Sequence, residues 1–350
     1  MSSVEEVIEY KCPNCGSGMV FDAATGMLSC PGCGRKDNIE QAPDPLQNQT
    51  SAEHAEHAVN EYHCSSCGAV IVTEPETSAT SCSFCGSAVV LIDRVSGQFA
   101  PAMVIPFAIT KDEAMKAFKK WCRNGLLTPR GFMTADRIAG ITGMYVPFWL
   151  YDLHNDIEVH GQATKVRIYE QGDYRYTETQ HFAIYRKIHL DYARLPIDAS
   201  EKMNDELMDK LEPFPYGQLK AFKTPYLAGY IAEKYSYNDE QLLPRAKDKT
   251  SPYIDAYISS TVSGYTTVNY TDKHIDTNMK QADYVLLPVW MVRYNFNRTE
   301  YTFAMNGQTG KVVGKPPTSK AKVAAWFAGV SAVSFLGLKL VAWMMGGGFL

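Results

Sequence analysis

An α+β fold is predicted for this chain of 350 residues by three observations. Cysteines near the start repeat one spacing, a middle stretch alternates helical patterns with runs rich in Tyr, Val, Ile, Phe and Thr, and an apolar segment lies near the end. In the first of these, Cys12, Cys15, Cys30 and Cys33 form two C-x-x-C pairs fourteen residues apart, and Cys64, Cys67, Cys82 and Cys85 repeat the arrangement. At a constant offset of 52 residues, Glu9, Tyr10, Gly16, Val20, Thr25, Ser29 and Gly34 recur as Glu61, Tyr62, Gly68, Val72, Thr77, Ser81 and Gly86. One unit is therefore present twice, over residues 1–40 and 61–95, with a connector over 41–60.

A unit of this size cannot bury enough apolar surface to offset its chain entropy, so the cysteines must supply what the core lacks. Four thiolates around Zn2+ do so tetrahedrally, each C-x-x-C turn giving two ligands, with Gly16, Gly34, Gly68 and Gly86 directly after a second cysteine where the backbone turns most tightly. A disulfide framework would suit the same count in a small secreted protein. The opening Met1–Glu9 is acidic and lacks the apolar run of a signal peptide, so reduced thiolates on two zinc ions are expected, and each unit reads as a zinc ribbon. Sulfur fills all four positions of each site, which leaves no place for an activated water: the role is structural. Cys122 falls on the apolar side of a predicted helix and is expected to pack as a small hydrophobe. His54 and His57 sit in a solvated connector and are given no metal.

Charge divides the chain. Residues 1–95 carry thirteen Asp and Glu against four Lys and Arg, and each zinc bound by four thiolates adds a formal charge of about −2. That field would repel a phosphate backbone, so nucleic acid is not the expected partner of the ribbons, and nucleic-acid binding of the helicase-associated type stands as the alternative reading.

Residues 96–319 are expected to form a mixed α+β domain with antiparallel strands. Thr110 and Glu113 form a capping box for a helix whose Ala114, Met115, Phe118, Trp121 and Cys122 share a face. A second helix is predicted over Glu201–Leu211 after Ser200, and a third from Asn238 toward Ile258, kinked at Pro244 and broken near Pro252. Strands are predicted over Met144–Leu153, Ile157–Tyr169, Tyr174–Leu190, Tyr226–Tyr235, Tyr265–Tyr270, Tyr284–Asn295 and Glu300–Met305, with turn formers at Asn306-Gly307 and Thr309-Gly310 before the run Lys311–Val313. Pro147-Phe148-Trp149-Leu150 and Pro288-Val289-Trp290-Met291 echo each other and suggest a duplicated helix-and-hairpin unit.

No set of residues here has the pattern of a catalytic centre. The run GQTGKVVGK lacks the spacing and the Lys-Ser/Thr pair of a phosphate-binding loop. His154, His160, His181 and His189 stand on strand candidates with Asp152, Asp156, Glu158 and Asp191 nearby, and without a nucleophile motif they read as hydrogen-bonded structure. The expectation is a protein that is not an enzyme and has no small-molecule substrate.

Val323–Met345 is apolar over twenty-three residues with Lys339 its single charge, enough to cross a bilayer as a helix. Lys339 lies about 24 Å along that helix, near the edge of a hydrocarbon layer about 30 Å thick, where it can snorkel. Lys311, Lys315, Lys320 and Lys322 precede the span and no Lys or Arg follows it, which predicts a single-pass anchor over 320–350 with the N-terminus in the cytoplasm.

With the paired ribbons, the two P-x-W segments, YLAGYIAEKY at 226–235, NGQTGKVVG at 306–314 and the closing apolar helix, the chain resembles the bacterial membrane-anchored double zinc-ribbon proteins of the YdjG type. The likeness also touches TFIIB-type ribbons and the replication-restart helicase PriA, whose nucleotide loop this chain lacks. The resemblance implies a non-enzymatic component of envelope-stress or membrane-remodelling systems, with phage-shock-protein-A-like and SPFH-type proteins as the partners to test. The expected function is that of a cytosol-facing adaptor binding proteins at the cell membrane, its ribbons offered on a mobile connector.

Overall fold

The structure, a computed structural model, describes residues 7–44 and 61–344 apart from 84, 124, 126, 130, 131, 133–140 and 297. The predicted connector, with His54 and His57, lies almost entirely outside the described residues.

Three long strands organise the molecule. β10 (Thr142–Gln171) runs antiparallel to β14 (Thr267–Phe296) on one side and to β11 (Tyr174–Asp198) on the other. The thirty residues of β10 would extend about 100 Å at about 3.3 Å per residue. Gln171 pairs with Tyr174, so β10 and β11 are joined by the two-residue turn Gly172-Asp173, with Gly172 at φ +61°. The predicted strands on either side of 154–156 are thus one strand, and those on either side of 271–283 another.

Around this ladder one order of elements occurs twice. β9 (Met103–Val104), α1 (Lys111–Arg123) and β10 form the first set, and β13 (Ile231–Glu233), α3 (Asp239–Ser260) and β14 the second. Each short strand pairs in parallel with the other set's long strand: Val285 with Met103, and Met144 with Ile231. Both helices start with a capping box. Glu113 N–H donates to Thr110 Oγ1 and Thr110 N–H to Glu113 Oε2, while Asn238 and Gln241 reciprocate in the same way. The two P-x-W segments tie the sets together, because Trp149 Nε1 donates to Tyr237 O and Trp290 Nε1 to Ile109 O, each at 3.0 Å. Each tryptophan thereby holds the residue just before the cap of the other set's helix. Phe107, Tyr145, Tyr230 and Trp290 fill the junction with ring centroids 4.2 to 6.0 Å apart.

Three expectations need correction. The second helix, α2, is Asp205–Leu211 with Asn204 as its cap; the Ser200 hydroxyl is engaged elsewhere, with Glu233 Oε2 at 2.8 Å. α3 continues through Pro244 and Pro252 to Ser260. Both prolines and the residues whose carbonyls they leave unpaired, Glu240 and Asp248, are exposed, so water takes over the lost bonds. Tyr226–Tyr235 is a 3-10 turn over Thr224–Leu227 followed by the short β13. Gly229 at φ +88° separates them, and a Cβ there would lie 2.9 Å from Val20 of the first ribbon.

α3 covers one face of the β10 ladder, burying Ile254 and Ile258 against Ile157, Val159 and Ile188. Arg245 of α3 pairs with the fully buried Asp198 at 3.0 Å and with Asp205 at 3.1 Å, fastening the helix to the end of β11 and the start of α2. The other face of the ladder remains open to solvent. β14 continues through β15 (Thr299–Asn306) to β16 (Val312–Gly314), where Asn306 Oδ1 accepts from the backbone N–H of Gln308 and Thr309 and fixes the predicted turn.

α4 (Lys320–Met344) begins where Ser319 N–H donates to Leu127 O and Lys322 Nζ to Thr128 O, both at 2.7 Å. Its apolar side chains are exposed all round, with Phe327 at 75%, Val333 at 71% and Leu338 at 71%. This is the reverse of a core helix, and the helix is long and apolar enough to cross a membrane.

Candidate metal centres

The predicted cysteines meet in two groups. Cys12 Sγ lies 3.6 Å from Cys33 Sγ and Cys15 Sγ 3.5 Å from Cys30 Sγ; the equivalent distances are 3.6 Å for Cys64 and Cys85 and 3.8 Å for Cys67 and Cys82. A tetrahedron with metal–sulfur bonds of about 2.3 Å separates its sulfurs by about 3.8 Å, so the four-sulfur sets fit a zinc-sized ion. A disulfide needs sulfurs about 2 Å apart and fits none of these pairs.

Local backbone structure explains the convergence. In each turn the N–H of the glycine following the second cysteine donates to the carbonyl of the first, Gly16 to Cys12 and Gly34 to Cys30 in one ribbon, Gly68 to Cys64 and Gly86 to Cys82 in the other. All four glycines have φ between +73° and +76°, a conformation that would strain any residue with a Cβ. The first cysteine of each pair is buried and the second exposed, in both ribbons. Cys15 and Cys85 match in electrostatics as well. Hydrogen bonds from the side chain and backbone of Ser17 hold Cys15 down to about 6, and Ser87 does the same for Cys85, favouring the thiolates that a metal needs. These serines, each two residues beyond a ligand, are positions the cysteine spacing did not single out: Ser17 follows the first pair of its ribbon and Ser87 the second pair of its own, so the 52-residue repeat does not relate them.

The ribbons are built into the rest of the molecule. In the second, β7 (Thr77–Ser81) pairs with β8 (Ala88–Leu91) and, through Ala79 and Ala232, with β13, which joins β10. The sheet therefore passes from ribbon into platform without a break, and the mobile presentation expected from the sequence gives way to a fixed one for the second ribbon. β1 (Val7–Ile8), which leads into the first ribbon, pairs with β8 of the second, and Glu9 accepts from Ser66 N–H at 3.0 Å on the second ribbon's knuckle. Between these contacts the first ribbon docks on the 3-10 turn. Phe21 lies 5.5 Å from the Tyr226 ring, Phe21 N–H donates to Ala228 O, and Lys223 pairs with Glu40 at 2.5 Å.

Comparison with known proteins agrees with this geometry. The family model described as TFIIB zinc-binding matches residues 10–44, the first ribbon. The chain is 62% identical over 343 residues to the uncharacterized protein YdjG of Bacillus subtilis (strain 168), a match covering 98% of this chain and 100% of the relative. No solved structure matches. Likeness at that identity over the whole length of both chains places this chain in the YdjG family.

Proposed function

We propose that the protein is a non-catalytic adaptor anchored in the cell membrane by α4, with Zn2+ in both cysteine sites and its ribbons and platform in the cytoplasm, where it binds other proteins. The observation that carries this reading is the combination of an acidic, metal-stapled ribbon fused to a rigid sheet with a helix that exposes apolar side chains on every side. Such a body has the parts of a docking surface held at a bilayer, and tethering raises the effective concentration of any partner that visits the same surface. Reduced thiolates and the lysine-rich flank of the helix favour the same compartment. The acidity of the ribbons disfavours nucleic acid.

Capture experiments with the full-length protein, solubilised in detergent with its zinc retained, test this reading. Phage-shock-protein-A-like or SPFH-type membrane proteins are expected to co-purify with the native chain and to be lost from a C64S/C67S variant that still fractionates with membranes. A salt-dependent shift of a DNA probe in place of protein capture would support the nucleic-acid alternative and overturn the adaptor.

A further inference from the structure

The open face of the long ladder carries a third group of metal-type donors, formed by residues that the sequence scatters over two strands. His154 and Asp156 are alternate residues of β10 and so share a face, and the register of β10 with β11 sets Asp156 opposite His189 and His154 opposite Asp191. His154, Asp156 and His189 each offer one donor atom, all within 4.8 Å of one another.

The hydrogen bonds assign the atoms. His154 Nδ1 donates to Asp191 Oδ1 at 2.8 Å, which directs Nε2 toward Asp156. Nε2 and Asp156 Oδ1 are 3.6 Å apart, beyond a good hydrogen bond and close to the edge of about 3.4 Å between N and O ligands of a tetrahedral ion. His189 Nδ1 approaches the same carboxylate oxygen at 2.5 Å, and the two imidazole rings lie nearly parallel, with centroids 6.2 Å apart. Asp191 is held in turn by Lys280 Nζ at 2.8 Å, and hydrogen bonds from Lys280 and His154 draw its carboxyl below the usual range. A carboxylate that orients a histidine through Nδ1 so that Nε2 can bind metal is the usual outer-shell partner of such ligands. Asp276, opposite Asp156 on β14, adds negative charge on the far side.

We propose that His154, Asp156 and His189 bind one divalent first-row transition ion of the zinc type, with Asp191 positioning His154. Binding requires the tautomer of His189 that carries its hydrogen on Nε2, so that Nδ1 can face the ion. Three protein donors leave a coordination position to water or to a side chain of a bound partner. Two imidazoles and a carboxylate select zinc, nickel or copper over Mg2+ and Ca2+, which prefer oxygen alone. The site is independent of the adaptor reading and of the ribbons.

The test is calorimetric titration of Zn2+ into full-length protein in detergent whose ribbons already hold metal. One further ion per chain is expected, with no binding of Mg2+ or Ca2+. The H154Q, H189Q and near-isosteric D156N variants should each abolish it, D191N should weaken it about 10- to 100-fold, and H181Q on the same hairpin should leave it unchanged. Circular dichroism of each variant separates loss of ligand from loss of fold. Absence of a further ion in the native chain, or an ion that survives both H154Q and H189Q, would overturn the proposal.

Discussion

Replacing Cys64 and Cys67 with serine is expected to destabilise the whole platform rather than the second ribbon alone. Structural zinc contributes about 10–16 kcal/mol in isolated ribbon-type peptides, which rivals the entire stability of a domain, about 5–15 kcal/mol. In this protein that contribution reaches beyond the ribbon. β7 pairs with β13, β13 pairs with β10 at Met144 and Tyr145, and Ala79, Ala88 and Val90 of the ribbon pack in one core with Tyr145, Tyr226 and Trp290. Losing the metal should therefore expose the edge of the long ladder. Hydrogen exchange read peptide by peptide checks this: protection at 144–146 and 231–233 should fall by several kcal/mol in the variant. The matching C12S/C15S variant should cost less there, because the first ribbon docks on the platform mainly through side chains, Phe21 on Tyr226 and Glu40 on Lys223. Unchanged exchange at 144–146 in C64S/C67S would show that the ribbon is energetically separate.

The second large effect concerns the membrane. Ending the chain at Thr318 is expected to move it completely from the membrane fraction to the aqueous one. The candidate span Lys320–Ala342 has a mean hydropathy of 1.6 and none of its most apolar window buried against the described residues, which is the exposure a membrane helix requires. The truncated chain keeps its folded body, since α4 contributes only its first turn to the contacts at Leu127 and Thr128. Flotation on a density gradient with lipid vesicles gives the readout. Full-length protein should rise with the vesicles and resist an alkaline carbonate wash, and the truncated form should stay at the bottom. A truncated chain that still floats would place membrane binding elsewhere.

Much of this architecture was legible because its signals are local. Cysteine spacing, the capping box at Thr110, the helix start at Asn238 and the apolar length of α4 each depend on neighbouring residues alone. The long strands were harder to read because their signal is distributed. In β14 the stretch Thr271–Gln281 is polar, and only Ile275, Thr277 and Met279 mark its half-covered side; pairing with β10 on one flank holds it extended. Tyr226–Tyr235 has the composition of a strand, yet Tyr226 and Tyr230 flank Phe21 and Gly229 needs a left-handed backbone. Proline in α3 looked like a break because sequence does not show which carbonyls face water. The donor group at His154 and His189 was hidden for a different reason. Once Gly172-Asp173 is read as a two-residue hairpin turn, the pairing of Asp156 with His189 follows from counting, but that turn carries less weight in the sequence than Asn306-Gly307 does.

Metal stapling and membrane anchoring are tested together by the zinc content of the full-length protein extracted by detergent from carbonate-washed membranes. After dialysis against a mild chelator that strips exposed imidazole sites, two zinc ions per chain are expected, falling to one in C64S/C67S. A folded protein recovered without metal, or found in the soluble fraction, would contradict this reading.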